Sequence, residues 1–257
     1  MLKKLTPQLT LVSHYGKKPD SIVNMILLLQ DKISRSLGSS FRPYELEQVH
    51  GTIIGLKCIF RNKKLINEYF KLYLNKEEKV NIEGFLNFVQ SDKIGEIVIQ
   101  VGGWQANKNY KFESSSQHPY FRSFLFQNKI AVAFGWPVEN GIYSESLYNL
   151  RKKFEKFKFY HKHNKYGYKD NDFYFVLGRI SKARISPMLL QQTEEAIRLA
   201  LSKIKEKITI NKDTLSIVAH VDNQLPIATS EAFCMNDKSL NSQLLEYIYK
   251  QFIIFRK

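Results

Sequence analysis

Cysteine is scarce in this chain. Cys58 and Cys234 are the two present in 257 residues, and they follow no metal-ligand or redox spacing. Their scarcity argues against a disulfide-stapled secreted scaffold and fits a reducing cytoplasm. No stretch of about 18 apolar residues occurs, so no membrane span is expected. Residues 1–4 lead into the first strand pattern without an apolar signal core, and a soluble cytoplasmic protein is expected. Glycine loops of the P-loop or dinucleotide type and the Gly-x-Ser-x-Gly elbow are also missing. Gly102-Gly103 reads as strand-end geometry rather than a phosphate cradle. Without repeats, low-complexity tracts or Gly/Ser linkers, the expected organisation is one domain over residues 1–235 and a C-terminal helical extension over 236–257.

Acidic residues are outnumbered, 24 against 39 Lys and Arg, which leaves a formal charge of +15. Such an excess favours polyanions such as nucleic acid, nucleotides or acidic surfaces; a lysine-rich coding bias accounts for it equally well. Hydrophobic residues at 44% and charged residues at 25% suit a chain with a buried core. Its 18 Phe and 14 Tyr supply core mass and stacking surface.

Residues 9–14 (LTLVSH) read as a strand. Ile22, Met25, Ile26, Leu29 and Ile33 recur at helical steps between an N-cap at Asp20 or Ser21 and a stop at Gly38. Residues 47–56 return to an extended, β-branched pattern. Helices are expected over 63–74 and 82–89, a strand over 95–101, and a hairpin of 120–126 with 129–134 turning near Gln127 and Asn128. A helix over 144–157, a strand over 172–180, a helix over 187–204 and a strand over 214–221 follow, and residues 238–255 carry a last helical pattern. The alternation implies an α+β fold with two similar lobes and facing sheets.

His50 and Thr52 are two apart on an expected strand, so their side chains leave one face. An imidazole can take or give a proton near neutrality, and a threonine hydroxyl beside it can hydrogen-bond a phosphate oxygen. The tripeptide alone more often marks a structural histidine.

The order of LTLVSH, VHGTIIGL, IVIQVGG and FYFVLGRI resembles that of the 2H phosphoesterase superfamily, which includes RNA 2′,3′-cyclic phosphodiesterases of the 2′-5′ RNA ligase-like kind. The resemblance spans residues 5–230. It implies a two-lobed fold with facing antiparallel sheets and outer helices, and metal-independent hydrolysis of RNA ends with cyclic phosphate or of cyclic or 2′-5′-linked nucleotides. No cofactor or metal is implied. The second motif of that family, His-x-Thr-Leu-x-Arg, is represented here by Tyr174, Val176, Leu177 and Arg179. Tyrosine is a poor general base but a usable acid, and valine donates nothing to phosphate.

Three readings of that substitution stay open. Tyr174 acts as acid with His50 as base; His220 or His118 supplies the second imidazole; or the cleft only binds RNA or a nucleotide. Arg179 and Arg122 are phosphate-clamp candidates through the guanidinium fork. Residues 151–169 carry eight Lys or Arg, one Glu and six aromatics, the composition of a single-stranded nucleic-acid surface or of a solvated helix face. His161 and His163 form a His-x-His without further ligands nearby and are expected in a solvated loop. The C-terminal apolar helix would ordinarily pack on its own domain; if detached, it would serve self-association.

Overall fold

The computed structural model describes residues 3–5, 7–181, 185–251 and 253–255, with backbone alone at 3–5, 166 and 253–255. Its frame is an 11-stranded sheet. The main path runs Lys205–Ile210, Ile97–Gly102, Ile130–Glu139, Phe173–Ile180, Gly51–Gly55, Gln8–Ser13, Leu215–His220, Glu231–Cys234, and every neighbouring pair is antiparallel. The fold is α+β, with seven α-helices among the described residues. The strands expected in two facing sheets belong to this one sheet, with Phe124–Gln127 off the main path beside Ile130–Glu139.

The path has a narrow waist. Phe173–Ile180 meets Gly51–Gly55 through the single register pair Phe175 and Gly51, so two four-strand halves join at one position. Gly51 is required there, because a Cβ would overlap the Phe173 ring.

Both strands at the waist carry a bulge. Register slips past Leu177 on one strand and past Ile53 on the other, which takes the extra residue's backbone out of the ladder. A buried side chain from a helix binds the carbonyl at each bulge, and that of Leu177 also accepts from the Tyr44 amide at 3.0 Å. Gln30, on helix Asp20–Leu37, donates to the carbonyls of Leu177 and Tyr44, both at 2.8 Å. Arg151, on helix Ser146–Lys153, donates to those of Ile53 at 2.9 Å and Thr52 at 3.0 Å.

Alternation along Phe173–Ile180 sorts its side chains. Phe173, Phe175 and Leu177 enter the main core with the apolar stripe of Asp20–Leu37, while Tyr174 and Val176 face the opposite side, beside a second cluster of Trp104, Val132, Phe134 and Trp136.

Several expected elements differ locally. Residues 63–74 are half hairpin: Asn62 and Lys63 adopt left-handed backbone and turn Cys58–Arg61 into Lys64–Asn67. The helix begins after that turn, at Glu68, capped by Asn67. Pro119–Arg122 is one helical turn capped by His118, and the strand Phe124–Gln127 follows it. The expected turn at Asn128 is in place, with positive φ at Asn128 and Lys129. Lys205–Ile210 and Glu231–Cys234 are strands that the sequence reading missed.

The C-terminal helix spans Ser242–Lys250, shorter than the expected 238–255. Its Leu245, Ile248 and Tyr249 are buried in the main core and Tyr249 donates to the Leu56 carbonyl, so the helix is no detached appendix. Ile253–Phe255 then pairs with Lys3–Leu5; residues 252, 256 and 257 lie outside the described residues. Among the described residues no helix is long and apolar enough to cross a membrane.

Candidate functional site

A cavity of about 510 Å³ opens on the sheet face that carries Tyr174, and its walls include His50, Thr52, Tyr174, Arg179 and His220 together with Thr10. Five of the seven residues singled out in the sequence therefore share one cavity, whose size is ordinary for a small-ligand site.

Three neighbouring strands present its polar floor. His50 immediately precedes Gly51–Gly55, which carries Thr52; Thr10 lies on the adjacent Gln8–Ser13; His220 ends Leu215–His220 beyond it. Each imidazole thus has a threonine close by, one along a strand and one across strands.

Hydrogen bonds fix the chemistry of His50. Its Nδ1 lies 2.6 Å from the Gln48 carbonyl oxygen. A carbonyl only accepts, so Nδ1 carries the proton and the neutral ring presents a Nε2 lone pair. Burial lowers the His50 pKa to about 4, with the Gln48 carbonyl working against that shift and Lys18 and His220 adding to it. At neutral pH His50 is an unprotonated base. The edge of Tyr15 packs against its ring, centroids 5.7 Å apart.

His220 is 5% exposed, and its Nε2 meets the Thr10 hydroxyl at 2.9 Å. Burial lowers its pKa, opposed by the backbone and carboxylate of Asp222. Because the two imidazoles interact electrostatically, a proton on one disfavours a proton on the other.

Across the waist, burial raises the Tyr174 pKa, Asp170 adds to the rise, and hydrogen bonding with Thr52 opposes it. Tyr174 is accordingly a protonated donor at neutral pH. The Arg179 and Lys162 side chains make no ion pair or hydrogen bond among the described residues, although Asp170 acts on Lys162 from a distance, whereas Lys57 in the same wall pairs with Glu68 at 2.8 Å. Against Arg179 and Lys162 stands one carboxylate without a paired cation, Asp222, so the wall carries a net positive balance that favours an anionic ligand.

His118 and Arg122 are placed elsewhere. His118 Nδ1 accepts from the Tyr120 amide at 3.2 Å as a helix cap and its Nε2 donates to the Lys108 carbonyl at 2.8 Å, so both nitrogens are engaged. Arg122 is buried, paired with Asp172 at 3.0 Å and laid over the Phe134 ring at 4.0 Å. It borders a second cavity instead.

The basic, aromatic run 151–169 divides between core and surface. Arg151 is fully buried, and besides its two strand contacts it donates to the carbonyls of Asp170 at 3.1 Å and Asp172 at 3.0 Å. Phe154, Phe159 and Tyr160 are core residues. His161, expected in a solvated loop, is 1% exposed and meets Asp170 at 2.7 Å. Burial and Arg151 hold its pKa at about 3. Among the described residues no cluster of three His, Cys, Asp or Glu is placed to hold a metal ion.

Thr10 was missed by sequence reasoning. Its strand was legible, but its role depends on the pairing of Gln8–Ser13 with Leu215–His220, a contact 210 residues apart in the chain.

No known protein family and no curated protein matches the chain. Solved structures similar to it include two of low identity. A conserved protein of unknown function from Agrobacterium tumefaciens str. C58, ATU0111, is 12% identical with a TM-score of 0.42, over 85% of this chain and 82% of that one. TT0787 of Thermus thermophilus is 10% identical with a TM-score of 0.37, over 88% and 93%.

Proposed function

We propose that the chain is a metal-independent phosphodiesterase of the 2H type, acting on RNA ends with cyclic phosphate or on cyclic or 2′-5′-linked nucleotides. One observation carries the reading: two imidazoles, each with a threonine hydroxyl beside it, line a cavity that also holds an unpaired arginine.

In this scheme His50 Nε2 takes the proton of the attacking water as the new P–O bond forms. His220, protonated when the phosphate anion is bound, gives its proton to the departing ribose oxygen as the old P–O bond breaks. Thr52 and Thr10 donate to the non-bridging oxygens, Tyr174 adds a third hydroxyl, and Arg179 balances charge that builds on phosphorus-bound oxygen. His220 thereby stands in for the histidine that the second motif lacks.

Val176 favours the alternative of a catalytically inactive RNA- or nucleotide-binding protein on the same fold, because it presents methyl groups where the family motif has a hydroxyl. Turnover of a 2′,3′-cyclic nucleotide in chelator separates the two. The expected result is hydrolysis that falls by about 10²–10⁴ in His50→Ala, the range of general acid–base contributions. Unchanged turnover in that variant overturns the role of His50; salt-sensitive binding without turnover in the unmodified protein selects the alternative.

A further inference from the structure

A second cavity of about 700 Å³ adjoins the first, and the two share Ile130, Lys162 and Tyr174 as common wall. It lies on the other half of the sheet, floored by Val132 and Phe134 of Ile130–Glu139 and rimmed by residues of the 162–172 segment.

Its charge balance is one-sided. Both carboxylates in its wall have a cation beside them: Asp170 has Arg151, with a hydrogen bond from the neutral His161 ring, and Asp172 has Arg122, with further bonds from Ser114 and Trp136. The ammonium groups of Lys162 and Lys165 make no ion pair or hydrogen bond among the described residues, although the Asp170 carboxylate acts on Lys162 from a distance. Beside them are the aromatic rings of Tyr168 and Tyr174 and, at the hairpin turn, the side-chain amides of Gln127 and Asn128. Unpaired cations, ring faces and amides in a groove are what a single strand needs for its phosphates, its base faces and its base edges.

We propose that this second cavity is a subsite for the nucleotides adjoining the reacting phosphate, so that the preferred ligand is a single-stranded oligonucleotide rather than a lone nucleotide. The proposal rests on the reading of the first cavity given above. It adds a direction, with the strand running from the imidazoles past Tyr174 and Lys162 onto the half that carries Phe134. Each cavity is large enough to hold a ligand of its own, and the shared wall lets one chain occupy both.

The test compares equilibrium binding of a nucleoside 3′-phosphate with that of a tetranucleotide RNA ending in the same 3′-phosphate, ligands with no cyclic phosphate to open. The unmodified protein is expected to bind the tetranucleotide at least about tenfold tighter, and Lys165→Glu to lose most of that ratio. The log–log salt dependence of tetranucleotide binding should also flatten in the variant by about 0.7, the single-strand value per phosphate contact. Circular dichroism confirms that the variant is folded. If the nucleotide binds but the tetranucleotide gains nothing, or if the gain and salt slope survive in Lys165→Glu, the subsite is overturned and the first cavity stands. If neither ligand binds, both readings fall.

Discussion

The Nε2 of His220 and the hydroxyl of Thr10 meet at 2.9 Å although 210 residues separate them in the chain. That contact assembles across two strands the same pair of groups that His50 and Thr52 present along one. It also sets two rivals for the acid, His220 and Tyr174. Replacement should separate them: His220→Gln is expected to lower kcat by about 10²–10⁴. Tyr174→Phe, which keeps the ring and removes one donor, should cost less, about tenfold in kcat. If steady-state kinetics return the reverse order, Tyr174 is the acid and His220 a structural residue.

The pH dependence follows from the two imidazoles. His50 must be neutral to accept a proton, and its pKa is lowered to about 4. His220 must be protonated to donate one, and its pKa is lowered by burial from the ordinary histidine value of 6.5. The proposed mechanism therefore predicts that kcat/KM rises as pH climbs through about 4 and declines again before 6.5 is reached, with the best rate in acid. A profile that climbs to a plateau through pH 8 would show that His220 gives no proton.

Arg151 should be the costliest side chain to remove. It caps carbonyls of Thr52, Ile53, Asp170 and Asp172 and lies 3.4 Å from the buried Asp170 carboxylate. Arg151→Met strands those acceptors and leaves Asp170 short of a partner, a loss of about 3–5 kcal/mol in urea unfolding. Arg151→Lys keeps the charge but not the fork, and should recover less than half of that. A loss below about 1 kcal/mol for Arg151→Met would mean that the carbonyls find other donors.

Much of this arrangement was legible in the sequence, for local reasons. The stripe from Ile22 to Ile33 and the alternation after Phe173 follow from periods of 3.6 and 2, and they were enough to place Tyr174 and Arg179 beside a strand face. His50 and Thr52 were found because both belong to one short segment. Thr10 was invisible because its importance comes from strand pairing. Arg151 was misread for a related reason: a guanidinium amid lysines looks like surface until the bulge whose carbonyls it caps is known. His118 looked free because a loop histidine before proline gives no hint that both nitrogens are engaged.

The waist at Phe175 and Gly51 divides the cavity's inheritance. Both imidazoles and both threonines belong to the half built on Gly51–Gly55, Gln8–Ser13 and Leu215–His220, while Tyr174 and Arg179 belong to the other. Substitutions in that second half can reshape what the cleft accepts without disturbing the spacing of the two imidazoles and their threonines. A lineage built on this scaffold could change ligand many times while keeping one chemistry.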